Sequence, residues 1–244
     1  MSSATTTYTS KSPHTTTQSI PVGRLEMIIG CMYAGKSTEM IRRYHRFITL
    51  KHNILVINNL KDTRYGEGVV STHDKLKIPC HSVAQLLPTL ENELYIAASV
   101  IMIEEAQFFD DLLGFIQQAV DVDHKIVIVS GLSADCFKKP FGHVLDCIPY
   151  ADDVTFLSAL CEECGDGTPA HFSKRVIQID QPQNQHLKKS SGSSTPELSR
   201  IPLDQQQYHQ QIMVGAKEVY RAVCRKHFSI HDTVYYDSRK DGVK

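Results

Sequence analysis

The 244-residue chain has no tryptophan, almost no net charge and no long apolar run. A formal net charge of −1 excludes the overall basic field expected of a nucleic-acid or membrane-surface binder, so neither partner is predicted. The longest apolar runs, such as the SVIMI of 99–103, are much shorter than the ~20 residues that span a bilayer. With 41% hydrophobic residues, the chain is long enough for one sizeable core and a small appended module.

The first 20 residues also lack an apolar segment, which argues against a secretory signal. They are rich in Ser and Thr, as transit peptides are, but contain no Arg, so a disordered tail over 1–20 is the preferred interpretation. The seven cysteines are odd in number and scattered. This usage favours reduced thiols and a cytoplasmic protein.

Buried strands and amphipathic helices alternate in the first two thirds of the chain. Helical spacing predicts helices over 37–50 and 109–120, and a third over 82–94 that Pro88 breaks or kinks. The strands are predicted over 24–30, 53–58, 98–105, 125–132 and 152–161. Strands that are apolar on both faces and alternate with helices predict an α/β fold with a parallel sheet covered on both sides.

The pattern changes after Cys161, where apolar runs become fewer. Residues 181–210 are polar and predict a flexible insertion without a core. We therefore predict a nucleotide-binding α/β domain over 21–160, a zinc-binding module over 161–230 and a C-terminal tail over 231–244.

A glycine-rich loop follows the first strand and precedes the first helix. Gly30, Gly35, Lys36 and Ser37 fit the pattern G-x-x-x-x-G-K-[ST]. In such a loop several amides and a helix N-terminus face a phosphate, the lysine reaches the outer phosphates and the hydroxyl binds Mg²⁺. The alternative is a glycine turn with a surface lysine, but the strand and helix on either side favour the phosphate loop.

Two adjacent carboxylates, Glu104 and Glu105, end the third buried strand. In an open α/β sheet that end faces the ligand crevice. Successive strand residues point to opposite sides, so we expect one glutamate to hold the Mg²⁺ shell and the other to take a proton from the acceptor. A solvated acidic loop is the alternative, and it would be preferred without the phosphate loop.

Two short knuckles supply four metal ligands. Cys161 and Cys164 form one C-x-x-C pair, and Cys224 and His227 form a C-x-x-H pair. A Cys₃His set is typical of structural zinc, because it leaves no open position for catalysis. A redox dithiol and a surface imidazole are the alternatives. Cys31, Cys80 and Cys147 are interpreted as small core or loop residues.

The segments GKSTEM, DTRY, THD, QFF and KPFG follow one another in an order that resembles the thymidine kinase family of the cellular, tetrameric type. The resemblance covers roughly 23–180 and 211–228. It implies a RecA-like P-loop sheet with a small zinc-anchored domain and a substrate-closing loop. It also implies transfer of the γ-phosphoryl group of ATP to the 5′-hydroxyl of thymidine, with Mg²⁺ and structural Zn²⁺, in a cytoplasmic homotetramer.

The resemblance also implies roles for individual residues. Glu105 would be the general base, and Lys36 the second catalytic residue. The residues expected at ATP and Mg²⁺ are Gly30, Cys31, Met32, Tyr33, Ala34, Gly35, Lys36, Ser37, Asp62, Thr63, Arg64, Glu104, Glu105, Ala106 and Gln107. The residues expected at thymidine are Met32, Phe108, Leu132, Cys136, Phe141, Ser173, Gln211, Ile212, Met213, Val214, Gly215 and Tyr220.

Four departures from the family pattern stand out. Glu104 occupies a position that is usually Asp, and His227 replaces a cysteine ligand. Cys136 stands where an aromatic normally stacks on the base, so either Phe137 moves in or the pocket is wider. The 30-residue insertion falls within the substrate-closing loop, which makes the match around Gln211 the weakest.

The sequence leaves two alternative functions open. A P-loop switch would hydrolyse nucleotide without nucleoside, but the chain has no N-K-x-D element for reading guanine. A zinc module that binds nucleic acid would need a basic face, for which CRKH and HLKK are modest support against CEECGD.

Overall fold

A computed structural model describes residues 22–62, 69–71, 77–176 and 219–228. The predicted tails, the 181–210 insertion and the segment Gln211–Gly215 lie outside these residues, as do Thr63 and Arg64. Among the helices of the described part, none combines the length and apolarity needed to cross a bilayer.

Six strands form one parallel sheet in the order β5-β2-β6-β7-β1-β8. Their bounds are β1 Arg24–Gly30, β2 Ile54–Asn59, β5 His81–Val83, β6 Val100–Ile103, β7 Ile126–Leu132 and β8 Asp153–Leu157. A short hairpin beside the sheet pairs β3 (Val69–Ser71) with β4 (Lys77–Pro79). The parallel α/β fold predicted from the sequence is confirmed, and the edge strand β5 is an addition to it.

Helices cover both faces of the sheet. They are α1 Lys36–Thr49, α2 Glu93–Ala97 and α3 Leu112–Ile116, with 3₁₀ turns at Leu87–Glu91, Ala106–Phe108 and Leu145–Tyr150. Side chains alternate along β1, so Leu25, Met27 and Ile29 pack in the core with α3, while Ile28 packs with α1 on the other face. This two-sided burial explains why the strands are apolar throughout.

Three predicted elements differ from the structure. The expected helix over 82–94 is a 3₁₀ turn with Pro88 near its start followed by the short α2, because proline is tolerated only in a first turn. The expected helix over 109–120 begins at Leu112 and widens into a π-helical turn over Gln117–Val122. The expected strand over 152–161 is divided between β8 and β9 (Ala159–Leu160).

A smaller module follows β8. It contains two antiparallel pairs, β9 with β10 (Pro169–Ala170) and β11 (Phe172–Arg175) with β12 (Tyr220–Val223), and ends in a 3₁₀ turn at Arg225–His227. Its core includes Ala170, Ala222, Val223 and Phe228, and also Cys31 from the glycine loop. The module therefore packs directly against the loop that precedes α1.

One buried arginine joins α1 to the sheet. Arg43 lies 2.6 Å from the Glu26 carboxylate on β1 and 2.9 Å from Glu39 on its own helix, and it donates to the Thr155 hydroxyl on β8 at 2.8 Å. Its side chain is only 9% exposed, whereas that of Arg42, which also binds Glu39, is 56% exposed.

We expect Arg43→Ala to lower the free energy of unfolding by about 2–3 kcal/mol, because the largely buried Glu26 carboxylate loses its buried cation and keeps only the half-exposed Arg24, at 2.7 Å. Arg42→Ala is the matched control and should change stability little, since exposed ion pairs contribute little. Urea denaturation measures both changes. Equal losses for the two variants would contradict the assigned role of Arg43.

Candidate active site and zinc cluster

The glycine loop lies between β1 and α1, where the sequence predicts it. Gly35 adopts a left-handed conformation (φ 82°) at the start of α1, and no side chain caps the helix there, so its first-turn amides can bind an anion. Gly30 is required by space, because a Cβ there would lie 2.3 Å from the Leu157 carbonyl oxygen. The Lys36 ammonium donates to the Cys31 carbonyl at 2.9 Å and so closes over the loop.

The acidic pair faces this loop from β6. Glu104 is 4% exposed, and one of its oxygens accepts a hydrogen bond from the Ser37 hydroxyl. Its other oxygen, Oε2, is buried and has no hydrogen-bond partner among the described residues. Burial, with the neighbouring Glu105 charge adding to it, raises the pKa of Glu104 above its usual range.

The surroundings of Ser37 and Glu104 suit Mg²⁺. A hydroxyl and a carboxylate are ligands that Mg²⁺ prefers, and a cation at the unpartnered Oε2 would offset the cost of burying the charge. Ser37 and Glu104 therefore fit a magnesium ion bound together with nucleotide phosphates.

Glu105 does not extend the strand as the sequence predicted. β6 ends at Ile103, and Glu105 has a left-handed backbone (φ 50°) that starts the 3₁₀ turn at Ala106–Phe108. Its half-buried carboxylate accepts a hydrogen bond from the Gln107 carboxamide. The two glutamates have different environments, as the sequence predicts. The cause is the sharp turn at Glu105 and not the alternation of side chains along a strand.

Residues expected at the nucleoside fall into two groups. In the first, the Phe108 and Phe141 rings meet edge to face at 5.6 Å, and the Leu132 amide donates to Gln107. In the second, the Ser173 hydroxyl accepts from the Met32 amide at 3.0 Å, which joins β11 to the glycine loop.

Arg175 was not predicted as a site residue. It is 2% exposed, donates to the Tyr220 hydroxyl at 3.1 Å, and lies 5.7 Å from the Phe137 ring. Burial raises the pKa of the neighbouring Cys136 thiol, and the positive charge of Arg175 only partly opposes this rise. The sequence feature that could have indicated Arg175 is its spacing of two residues from Ser173, which places both side chains on one face of β11.

Asp62, the described member of the predicted DTR segment, follows β2 and accepts from the Asn58 carboxamide at 3.1 Å. It lies beyond the carboxyl end of a central strand, as nucleotide-contacting residues in such sheets do.

The four predicted metal ligands form one cluster. Their ligand atoms lie within 4.8 Å of one another, with 3.8 Å between the sulfurs of Cys164 and Cys224 and 3.3–3.6 Å from His227 Nδ1 to the three sulfurs. Tetrahedral zinc with Zn–S bonds of about 2.3 Å would place two sulfurs about 3.8 Å apart. The cluster therefore fits a zinc ion.

Hydrogen bonds in the cluster also favour metal binding. Burial alone would raise the pKa of the Cys161 thiol, but the hydrogen bond from the Cys224 amide and the one shared with His227 lower it to about 6. The thiolate is the form that binds zinc. Cys31, Cys80 and Cys147 are buried elsewhere, as interpreted from the sequence.

A parallel sheet with a glycine loop after β1 and an acidic pair at its carboxyl edge is typical of nucleotide-binding α/β proteins. A family model described as thymidine kinase matches residues 23–228. The chain therefore belongs to the thymidine kinase family, and it is an enzyme.

Individual relatives agree with this assignment. Thymidine kinase a of Arabidopsis thaliana is 36% identical over 221 residues, which cover 89% of this chain and 80% of the relative. The thymidine kinase of Yaba monkey tumor virus is 35% identical over 203 residues, 83% of this chain and 93% of the relative. The cytosolic thymidine kinase of Gallus gallus is 36% identical over 156 residues, 64% of this chain and 67% of the relative.

We expect purified protein to contain about one zinc per chain and Cys224→Ser to lose it, because a hydroxyl is a poor zinc ligand. Cys147→Ser is the matched control. Its sulfur donates to the His143 carbonyl, a bond that serine can keep, and it lies outside the cluster. Metal analysis of the three proteins measures the content. Zinc retained in Cys224→Ser, or absent from the unmodified protein, would contradict the assignment.

Proposed function

We propose that the chain transfers the γ-phosphoryl group of ATP to the 5′-hydroxyl of thymidine, with Glu105 as general base. One observation carries the proposal: the Ser37 hydroxyl is bonded to Glu104, so the phosphate loop and the acidic pair share one crevice. Membership of the thymidine kinase family supports thymidine as the acceptor. The plant, viral and chicken relatives are named as thymidine kinases, which also supports this acceptor.

The residues of the loop supply the donor site. The amides at the start of α1 are not used by the hydrogen bonds of the helix itself, and the Lys36 ammonium lies at the same loop, where it donates to the Cys31 carbonyl. Phosphoryl transfer depends mainly on positioning and on neutralising charge rather than on covalent chemistry. These groups therefore hold the triphosphate and stabilise its outer oxygens.

Ser37 and Glu104 would hold the magnesium ion, which neutralises phosphate charge when it is bound. Glu105, on the turn beside them, orients the acceptor hydroxyl and removes its proton. The edge-to-face pair of Phe108 and Phe141 offers an apolar surface suited to a nucleobase.

The zinc cluster would fix the module that carries Ser173 and Tyr220. The Ser173 oxygen already accepts the Met32 amide, so its own O–H remains to donate to a base carbonyl. Segments 181–210 and Gln211–Gly215, where the resemblance places a substrate-closing loop, lie outside the described residues.

We also propose a cytoplasmic homotetramer. None of the seven cysteines, all of which lie in the described residues, forms a disulfide, which suits a reducing compartment, and one relative is named as cytosolic. The tetramer rests on the resemblance of the sequence to the cellular type of the family, and sedimentation of the purified enzyme measures it.

Glu105→Gln should lower the rate of phosphate transfer to thymidine about 10²-fold or more, the usual scale of general-base catalysis, and leave ATP binding unchanged. Labelled ATP measures both the transfer of phosphate to thymidine and the hydrolysis of ATP without nucleoside. A separate titration measures binding to single-stranded DNA. Near-normal transfer would remove Glu105 from the mechanism. Hydrolysis that ignores thymidine would indicate a P-loop switch, and tight DNA binding a nucleic-acid module.

Lys36→Met should abolish measurable transfer and weaken ATP binding, because it removes the ammonium that contacts the phosphates while keeping the length of the side chain. Lys51→Met is the matched control, since Lys51 is exposed beyond the far end of α1. Calorimetric titration with ATP and the labelled assay give the two readouts. Wild-type transfer by Lys36→Met would contradict the donor site itself.

A further inference from the structure

Gln107 is a buried polar side chain at the site to which the proposed mechanism gives no role. It is 2% exposed and lies in the 3₁₀ turn two residues after Glu105. Its Oε1 accepts from the Leu132 amide at 3.0 Å, and its Nε2 donates to the Glu105 carboxylate. The sequence placed Gln107 among the nucleotide-binding residues, whereas its carboxamide here contacts the protein at both ends.

The orientation of this carboxamide follows from its partners. The Leu132 amide can only donate, so the end of Gln107 that faces it must be the oxygen. The NH₂ end then faces Glu105, and an ionised carboxylate can only accept. Both contacts fix the same orientation of the amide.

The surroundings of Gln107 hold it in place. A Cβ added at Gly131 would lie 3.3 Å from its Oε1, and one at Gly142 would lie 2.3 Å from its backbone oxygen. Strand β7 and the loop after it therefore close around the residue on two sides. A side chain packed this tightly and bonded at its tip has little freedom to move.

We propose that Gln107 is a positioning residue that holds the Glu105 carboxylate in the plane required to accept the proton of the acceptor hydroxyl. The inference rests on the proposed function of Glu105. The left-handed backbone of Glu105 directs its side chain away from the strand, and the bond from Nε2 fixes the rotation of the carboxylate. The Leu132 amide on β7 thereby anchors the base through one intermediate side chain.

Gln107→Met tests the proposal, because methionine has a similar length but no amide. We expect kcat to fall about 10- to 100-fold, as for a displaced catalytic group, while the KM values for ATP and thymidine change little. A raised KM with an unchanged kcat would instead make Gln107 a binding residue and overturn the inference.

A double-mutant cycle with Glu105→Gln tests whether Gln107 acts through the base. If it does, Gln107→Met should cause no further loss of kcat once Glu105 is replaced. Independent, multiplying losses would overturn the inference. Normal turnover by Glu105→Gln alone would instead overturn the proposed function, so the two failures are distinguishable.

Asn59→Ala is the matched control. The Asn59 carboxamide donates to the Phe108 carbonyl at 3.3 Å and accepts from the Lys61 amide at 2.8 Å, so it supports the same 3₁₀ turn without touching Glu105. Its kcat should stay close to that of the unmodified enzyme. An equal fall in kcat would mean that any loosening of the turn suffices, which would overturn the specific role of Gln107.

If thermal melting shows that Gln107→Met does not fold, the contact is tested with Gln107 in place. We expect the NMR resonance of its side-chain amide to move when Glu105 is replaced by Ala, because the acceptor is lost. An unmoved resonance would show that the carboxamide does not bind the base and would overturn the inference.

Discussion

The hydrogen bond between the Ser37 hydroxyl and Glu104 is the contact on which the site depends. Ser37 lies in the first turn of α1 and Glu104 follows β6, and β7 separates β6 from β1 in the sheet. The bond therefore crosses the carboxyl edge of the sheet and brings anion-binding amides next to carboxylates. A phosphate bound at these amides would lie close to carboxylates of the same charge, which is unfavourable unless a cation lies between them, and a metal–nucleotide substrate would meet that condition.

The small module after β8 contacts the same glycine loop from outside the sheet. Cys31 lies in the core of the small module, its sulfur bonds to the Ala170 carbonyl at 3.3 Å, and the Met32 amide bonds to Ser173. The Lys138 ammonium also lies 3.8 Å from the centre of the Phe228 ring, close to the zinc ligands. The glycine loop and the loop after β7 therefore both contact the small module that contains the Cys₃His cluster.

The sequence predicts most of the sheet, helix α1, the glycine loop and the zinc ligands. Each of these depends on local periodicity or on spacing within a few residues, and a single sequence contains that information. The backbone of Glu105, the partners of Gln107 and the burial of Arg175 could not be predicted in this way. Gln107 bonds to a residue 25 positions away and Arg175 to one 45 positions away, so tertiary packing decides their roles.

The departures from the family pattern find physical compensation in the described residues. Glu104 is one methylene longer than the usual aspartate, yet its carboxylate still meets Ser37, because β6 ends at Ile103 and the chain then turns sharply. Phe137 and Tyr220 lie on the same buried guanidinium, at 5.7 and 5.5 Å from Arg175. An aromatic ring therefore lies one position beyond the small, buried thiol of Cys136, and its contact in the described residues is the Arg175 guanidinium.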